Sequence, residues 1–217
     1  MDPLTINQIL FLILGWLFGL LSPTIISNIR DQREAQVIKT ALILELHELM
    51  YRLMMNVYTV ESKYGKLDHE FFIWAQSVLV QYKGINSSES LLKTIGPILK
   101  LTEDEISISL EMIKNEKKKK SALSLKKNSL MLLDTNMGVL SKLEPTFMGK
   151  LLEIKTRLGF LNEIIDDTRY YYKLSFQNNI SDENYEIANT NLIDHYKFYA
   201  SRSRDIIRII GEVLDIK

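Results

Sequence analysis

The sequence predicts an all-α protein in which an N-terminal transmembrane helix continues into a cytoplasmic helical bundle with a long C-terminal antiparallel helical hairpin. Three observations lead to this fold class. No charged side chain lies between Asp2 and Arg30. Apolar residues recur every three or four positions through most of the remaining chain, which is the helical period. Four prolines and nine glycines are the only helix-breaking residues among 217. We expect a transmembrane segment over 1–29 and a helical domain over 30–217, with the hairpin over 146–215.

The first segment has the length and composition of a membrane span. Its centre, residues 9–21, reads ILFLILGWLFGLL, and about 20 apolar residues are needed to cross a bilayer as a helix. A secretory signal peptide would carry a basic n-region and a small-residue cleavage site. Here the acidic Asp2 precedes the apolar run and no A-x-A pattern follows it. We therefore predict a retained span over 6–26.

The basic residues near the span predict its orientation. Arg30, Arg33 and Lys39 follow the span, and no lysine or arginine precedes it. Because positive charge is retained on the cytoplasmic side, the N-terminus is expected outside and the C-terminal domain in the cytoplasm.

The predicted span has one face of small and polar residues. Residues spaced by three and four positions share a helix face, and this spacing relates Thr5, Gln8, Leu12, Gly15, Gly19 and Ser22. Small residues allow helices to approach closely in lipid, where little hydrophobic force acts between them. We call these six residues the stripe and predict that it mediates self-association or lines a water-filled path.

The long N-terminal helix is expected to continue to about Tyr64, since no proline or glycine occurs between Arg30 and that residue. Its predicted buried face carries apolar residues at helical spacing. These residues are Ile38, Leu42, Leu46, Leu49, Leu53, Val57, Val60 and Tyr64.

Shorter helices are expected next. Asp68 is a suitable N-cap for a helix that stops at Gly84. Another helix begins at Ser88 and is broken at Gly96-Pro97, and Thr102 with Glu105 forms a capping box at the start of a third. A further apolar pattern over 123–143 stops before Pro145.

The hairpin is predicted from two apolar stripes and a polar turn before the N-cap residue Ser181. The first stripe consists of Phe147, Leu151, Ile154, Leu158, Leu161, Ile165, Tyr172 and Phe176. The second consists of Leu192, Tyr196, Tyr199, Ile206, Ile210 and Val213.

Motifs that carry catalytic or metal chemistry are not found in the sequence. The formal net charge is zero and there is no cysteine. The three histidines, His47, His69 and His195, lack the spacing that places two metal ligands on one helix face, so we interpret them as surface or capping residues. No glycine-rich phosphate loop or nucleophile elbow is present. We expect no enzymatic activity, metal site or cofactor.

A lysine-rich segment is open to three interpretations. Lys117, Lys118, Lys119, Lys120, Lys126 and Lys127 belong to it. It is typical of a solvated helix end, of a segment that contacts anionic lipid, or of a site for a phosphate-rich ligand such as nucleic acid or a nucleotide.

Aromatic and basic residues of the hairpin form a second candidate site. Interleaved rings and cations can stack bases and hold phosphates. Tyr172, Tyr196 and Tyr199 lie on the apolar stripes and are expected to pack in the core. Tyr170, Tyr171, Lys197 and Arg204 are the residues left for an anionic ligand or lipid.

The span over 6–26, the Arg30 and Arg33 flank and the helical remainder together resemble the small single-span membrane effectors of bacterial anti-phage defence systems, such as the Hailong type. The resemblance implies a bacterial inner-membrane protein whose cytoplasmic domain senses a nucleotide, a nucleic acid or a cognate regulatory protein and thereby controls membrane integrity. Independently of the resemblance, a single span cannot conduct alone, so we expect several copies, brought together by the bundle, to place Gln8, Gly15, Gly19 and Ser22 around a pore. The alternative is a membrane-tethered scaffold that docks a partner protein without conduction.

Overall fold

The computed structural model describes residues 3–85, 88–106, 108, 123–177 and 180–215, with the side chains of 3–10, 137 and 139 left aside. The described part is helical and contains no strand, which confirms the all-α class. We number the α-helices α1 (Pro3–Tyr64), α2 (His69–Gln81), α3 (Glu89–Ile98), α4 (Met131–Thr135), α5 (Pro145–Leu174) and α6 (Asp182–Leu214), and a 3-10 helix spans Met137–Lys142.

Helix α1 is continuous over 62 residues and includes Pro23, so the predicted run-on of the N-terminal helix is confirmed. Its two ends have different surroundings. Every residue of 11–30, which we call the arm, is exposed. Burial begins at Ala35 and then follows the predicted buried face of α1 from Leu42 to Val60.

The core forms where the second half of α1 packs against the hairpin of α5 and α6. Leu46, Leu53 and Val57 of α1 are inaccessible to solvent. On the hairpin, both predicted stripes are buried except at the end of α5, where Tyr172 and Phe176 are exposed and their rings contact each other at 4.8 Å. The expectation that Tyr172 packs in the core was therefore wrong, whereas Tyr196 and Tyr199 are buried as predicted.

Both helices of the hairpin, α5 and α6, begin with a capped N-terminus. The Glu144 carboxylate accepts hydrogen bonds from the backbone N–H groups of Thr146 and Phe147, each at 2.9 Å. The hydroxyl of Ser181 accepts from the N–H of Asn184 at 3.3 Å, which confirms the predicted cap. Such side chains satisfy backbone donors that have no partner within the helix.

Helix α2 begins as predicted but ends earlier. Asp68 Oδ1 accepts from the N–H of Phe71 at 2.9 Å. The helix stops at Gln81 rather than Gly84, because the next residues bond to α1 instead of continuing the helix. Tyr82 donates its hydroxyl to Glu48 at 2.6 Å, and the N–H of Lys83 donates to the ring of His47 at 3.3 Å.

Helix α3 is not broken at Gly96-Pro97, which corrects the prediction. Both residues lie inside the helix, which ends one residue later at Ile98. Proline removes one backbone donor, and its effect is small at the end of a helix where few bonds follow. The next predicted feature is confirmed, since the N–H of Thr102 donates to Glu105 at 2.8 Å and the N–H of Glu105 donates to the Thr102 hydroxyl at 3.3 Å.

The apolar pattern over 123–143 does not form one helix. Residues 123–130 lack helical structure, and only α4 and the 3-10 helix follow. The physical reason is that tertiary partners take the backbone groups that a helix would pair. The Asn162 side chain of α5 accepts from the N–H of Asn128 at 2.9 Å and donates to its carbonyl at 2.8 Å. The Tyr196 hydroxyl likewise accepts from the N–H of Leu123 and donates to its carbonyl.

The packing predicts contrasting effects for two neighbouring leucines of α5. Leu151 is inaccessible, whereas Leu152 is 37% exposed. We expect Leu151→Ala to lower the free energy of unfolding by about 2–5 kcal/mol, since it leaves a core cavity. The matched control Leu152→Ala should cost well under half as much. Thermal unfolding of the detergent-solubilised chain, followed by circular dichroism, measures both, and equal losses would contradict the described orientation of α5.

Candidate functional site

The arm brings the described part of the stripe to a surface with no neighbouring element. Leu12 is 75% exposed. A Cβ atom built on Gly15 or Gly19 would meet no atom within 4 Å, and Ser22 is exposed as well. Thr5 and Gln8 lie on the same helix, but their side chains are outside the described set. Among the residues that the structure describes, therefore, none covers the stripe at Leu12, Gly15, Gly19 or Ser22.

The rest of the arm is apolar and equally exposed. An 18-residue window of α1 has a mean hydropathy of 1.7 and no buried residue. Phe11, Trp16 and Phe18 are among its large exposed side chains. Soluble monomers rarely expose a continuous apolar surface of this extent. Among the described residues, α1 is the helix long and apolar enough to cross a membrane.

At the junction between the arm and the bundle, acidic and basic residues of α1 have different surroundings. Lys142 of the 3-10 helix donates to Asp31 at 3.0 Å and to Glu34 at 3.4 Å. These contacts, the hydrogen bond to Asp31 first, raise the pKa of Lys142. Arg30 and Arg33 are exposed, and within the described part of the chain neither forms an ion pair. Asp31 and Glu34 thus pair with Lys142 of the bundle, and Arg30 and Arg33 take no part in these ion pairs.

The lysine segment is described only at its end. Lys117, Lys118, Lys119 and Lys120 lie outside the described residues. Lys126 is exposed, whereas Lys127 donates to Asp166 at 2.5 Å. The choice among solvent, lipid and a phosphate-rich ligand stays a prediction.

The candidate residues of the hairpin do not line one groove. Tyr170 and Tyr171 contact each other, with ring centroids 5.4 Å apart, and Tyr171 also contacts His195. Lys197 and Arg204 line a separate groove of about 360 Å³. Neither tyrosine borders that groove, which also contains the carboxylates of Glu61, Asp68 and Glu70.

Arg204 is held by groups of its own chain. Its guanidinium donates to Glu61 at 3.3 Å and lies over the ring of Trp74 at 4.6 Å from the centroid. A cation over an aromatic face contributes about 0.5–1 kcal/mol at an exposed site. An incoming phosphate would have to compete with Glu61, which favours a structural role for Arg204.

The histidines do not assemble a metal site. The described residues contain no group of three or more His, Asp or Glu side chains that could hold a metal ion. His47 is only 5% exposed, so its assignment as a surface or capping residue was wrong. Its ring accepts the N–H of Lys83 and thereby ties the loop after α2 to α1. The Nδ1 atom of His195 lies 2.8 Å from the carbonyl of Asn191 on its own helix.

A second groove, missed from the sequence, lies between α5 and α6. It encloses about 690 Å³, a size typical of ligand sites. Phe160 and Phe198 contribute exposed rings, and Arg202 lies over the Phe198 ring at 4.7 Å. Both phenylalanines lie off the two apolar stripes, and that departure is the signal that could have indicated an aromatic surface.

Comparison with known proteins gives no relative for this chain. No protein-family model matches the sequence, and no match was found among curated proteins or solved structures.

The buried His47 predicts that stability falls on acidification. Burial, and to a smaller extent the positive charge of Lys83, lowers the pKa of His47 below its usual 6.5. The unfolded chain then binds a proton that the folded chain does not, so the free energy of unfolding decreases as the pH falls below about 6.5. Protonation also removes the lone pair that accepts the N–H of Lys83.

The variant His47→Gln should show a smaller loss of stability between pH 7.5 and pH 5.5, because an amide keeps an acceptor and does not titrate. Thermal midpoints of both proteins at the two pH values measure this. The difference between the thermal midpoints of the two proteins at pH 7.5 measures the general cost of the substitution and serves as the control. An unchanged pH dependence in the variant would exclude His47 as its source.

Proposed function

We propose that this chain is a membrane-anchored, self-associating effector that perturbs or permeates a membrane under the control of its helical bundle. The observation that carries the proposal is the arm, which has no charged residue before Arg30, is largely apolar and exposed, and has no described neighbour at Gly15 and Gly19 of the stripe. The role in anti-phage defence comes from the architectural resemblance described above.

The predicted span over 6–26 is the part that would enter the membrane, and the arm contains most of it. The 21 residues of this span correspond to about 30 Å of α-helix, the thickness of the hydrocarbon core of a bilayer. A helix satisfies its backbone hydrogen bonds internally, so it can cross lipid without exposing polar groups. The basic residues after the span favour a cytoplasmic bundle and an external N-terminus.

Several copies would be needed for permeation, since a single helix encloses no water-filled path. All copies of a single-span protein insert in the same direction, so their stripes can face one another in parallel. Gly15 and Gly19 permit close approach of backbones. Gln8 and Ser22, on the same face, supply the polar groups that an aqueous path requires.

The bundle would regulate the activity of the span. Helix α1 runs without interruption from the arm into the core, so a rearrangement of the hairpin can turn or shift the arm. The input would be a nucleotide, a nucleic acid or a regulatory protein. The lysine segment, with Lys126 exposed at its end, is the candidate contact for an anionic signal.

The proposal predicts that expression of the chain depolarises bacterial cells and slows their growth. Gly15→Leu and Gly19→Leu should relieve both effects, because each adds bulk where the copies approach most closely. Leu17→Phe is the matched control, since it adds bulk on the opposite face of the arm and should leave the effects in place. A potential-sensitive dye and the growth rate are measured at equal amounts of membrane-inserted protein. Unchanged membrane potential with the wild-type chain, even with its cognate signal supplied, contradicts the proposal.

A second candidate function is a non-conducting, membrane-tethered scaffold. The groove between α5 and α6 favours it, because exposed Phe160 and Phe198 beside charged residues are typical of a surface that docks a partner.

The two candidates differ in what they require of the span. Replacement of residues 6–26 by polyleucine preserves anchoring and removes the stripe. The effector should lose its activity with this replacement, whereas a scaffold should keep it. The measurement is the cellular activity of the replaced protein at equal membrane abundance, with the wild-type span as reference.

A further inference from the structure

The open face of α1 continues past the arm into the bundle. Arg33 follows Gly15 by 18 residues, which at 3.6 residues per turn equals five full turns. Since α1 is one uninterrupted helix, Arg33 lies on the same face as the centre of the stripe. Val37, Thr40 and Leu44 extend this face at spacings of four, three and four.

The packing of α1 leaves this same face free beyond the arm. Val37 is 68% exposed and Leu44 is 45% exposed, while Ala35 and Leu42 on the other side are buried. The free face ends where the ring of Tyr82 packs on Tyr51 at 5.1 Å. Arg33 thus occupies a position that no element in the described part of its own chain covers.

The charges of the junction leave Arg33 positive and accessible. Its acidic neighbours Asp31 and Glu34 are bound by Lys142 on the side of the 3-10 helix. Around this turn, the acids face the bundle and the basic residue faces the open side. The chain itself therefore produces an uncompensated positive charge on the stripe face, about 10 Å past the end of the predicted span at 1.5 Å per residue.

We propose that Arg33 determines ion selectivity, and that the assembled protein conducts anions in preference to cations. This inference rests on the proposed function, since it requires that the stripe of several copies surrounds a common axis. In that arrangement the Arg33 side chains form a ring of guanidinium groups at the cytoplasmic mouth. Rings of arginine or lysine attract anions and repel cations at the entrance of a pore.

Arg30 lies on the stripe face as well. It follows Leu12 of the stripe by 18 residues, which equals five full turns, and both arginines are exposed. Lys39 of the same helix provides the comparison off this face, because its Nζ lies over the ring of Phe147 of the hairpin at 5.3 Å from the centroid. A selectivity effect that depends on facing the axis should be present for Arg30 and Arg33 and small for Lys39, whereas a general effect of positive charge near the membrane should be similar for all three.

The experiment uses the full-length chain reconstituted in planar bilayers, with a KCl gradient across the membrane. The reversal potential of the wild type is expected to lie closer to the equilibrium potential of chloride than to that of potassium. Arg33→Lys should retain this preference, Arg33→Gln should reduce it, and Arg33→Glu should invert it towards potassium. Arg30→Gln should shift the reversal potential in the same direction as Arg33→Gln, Lys39→Gln should shift it less, and the exposed bundle variant Lys100→Gln should not shift it.

Measurements in zwitterionic and in anionic bilayers separate an axial role from binding of lipid phosphate. A ring around the axis gives the same order of variants in both bilayers. Binding to headgroups would make the effect of Arg33→Gln depend on lipid charge, and that result overturns the inference.

The two proposals fail in different ways. Absence of any conductance in the wild type overturns the proposed permeation and this inference together. Conductance that is not anion-selective, or that is unchanged in Arg33→Glu and Arg33→Gln, overturns the inference while the proposed function stands. If Arg33→Glu does not insert, Arg33→Gln and Arg33→Lys still decide the result.

Discussion

The structure depends on the continuity of the backbone hydrogen bonds of α1. A helix with 3.6 residues per turn transmits the angular position of each side chain along its whole length. The hairpin packs on one side of the second half of α1, and this packing sets the direction in which every residue of the arm faces. The stripe of the arm and the uncovered face near the junction consequently coincide. A break at the junction would leave the two halves without any fixed angular relation.

Tertiary hydrogen bonds decide the parts of the chain that do not follow helical periodicity. Side chains of α5 and α6 bond the backbone of Asn128 and Leu123, and those backbone groups are then unavailable to a local helix. The loop after α2 is held in the same manner by His47 and Glu48 of α1. In the core, Asn56 donates to the buried Tyr199 hydroxyl at 2.8 Å, which satisfies a polar group that would be costly to bury alone. These contacts join the elements between α1 and the hairpin to the three-helix core.

The candidate site was predictable in part. The arm and its stripe follow from composition and spacing, because both depend on residues close together in the sequence. The environment of each charged residue does not, because ion pairs join residues far apart in the chain. Arg204 pairs with Glu61, Lys127 with Asp166, and Lys142 with Asp31. The partner of each cation, and hence which cations face solvent without one, follows only from the packing of the helices.

The sequence by itself determined the helical class, the apolar N-terminal helix, the capped starts of α2 and α6, and the residues of the stripe. These features arise from local physics: helical periodicity, side-chain caps and the absence of charge over a run of residues. Only the tertiary structure decided that residues 123–130 are not helical, that His47 is buried, and that Phe160 and Phe198 border a groove. It also decided which face of α1 remains open beyond the arm, because that outcome depends on where the hairpin packs rather than on any residue of α1 alone.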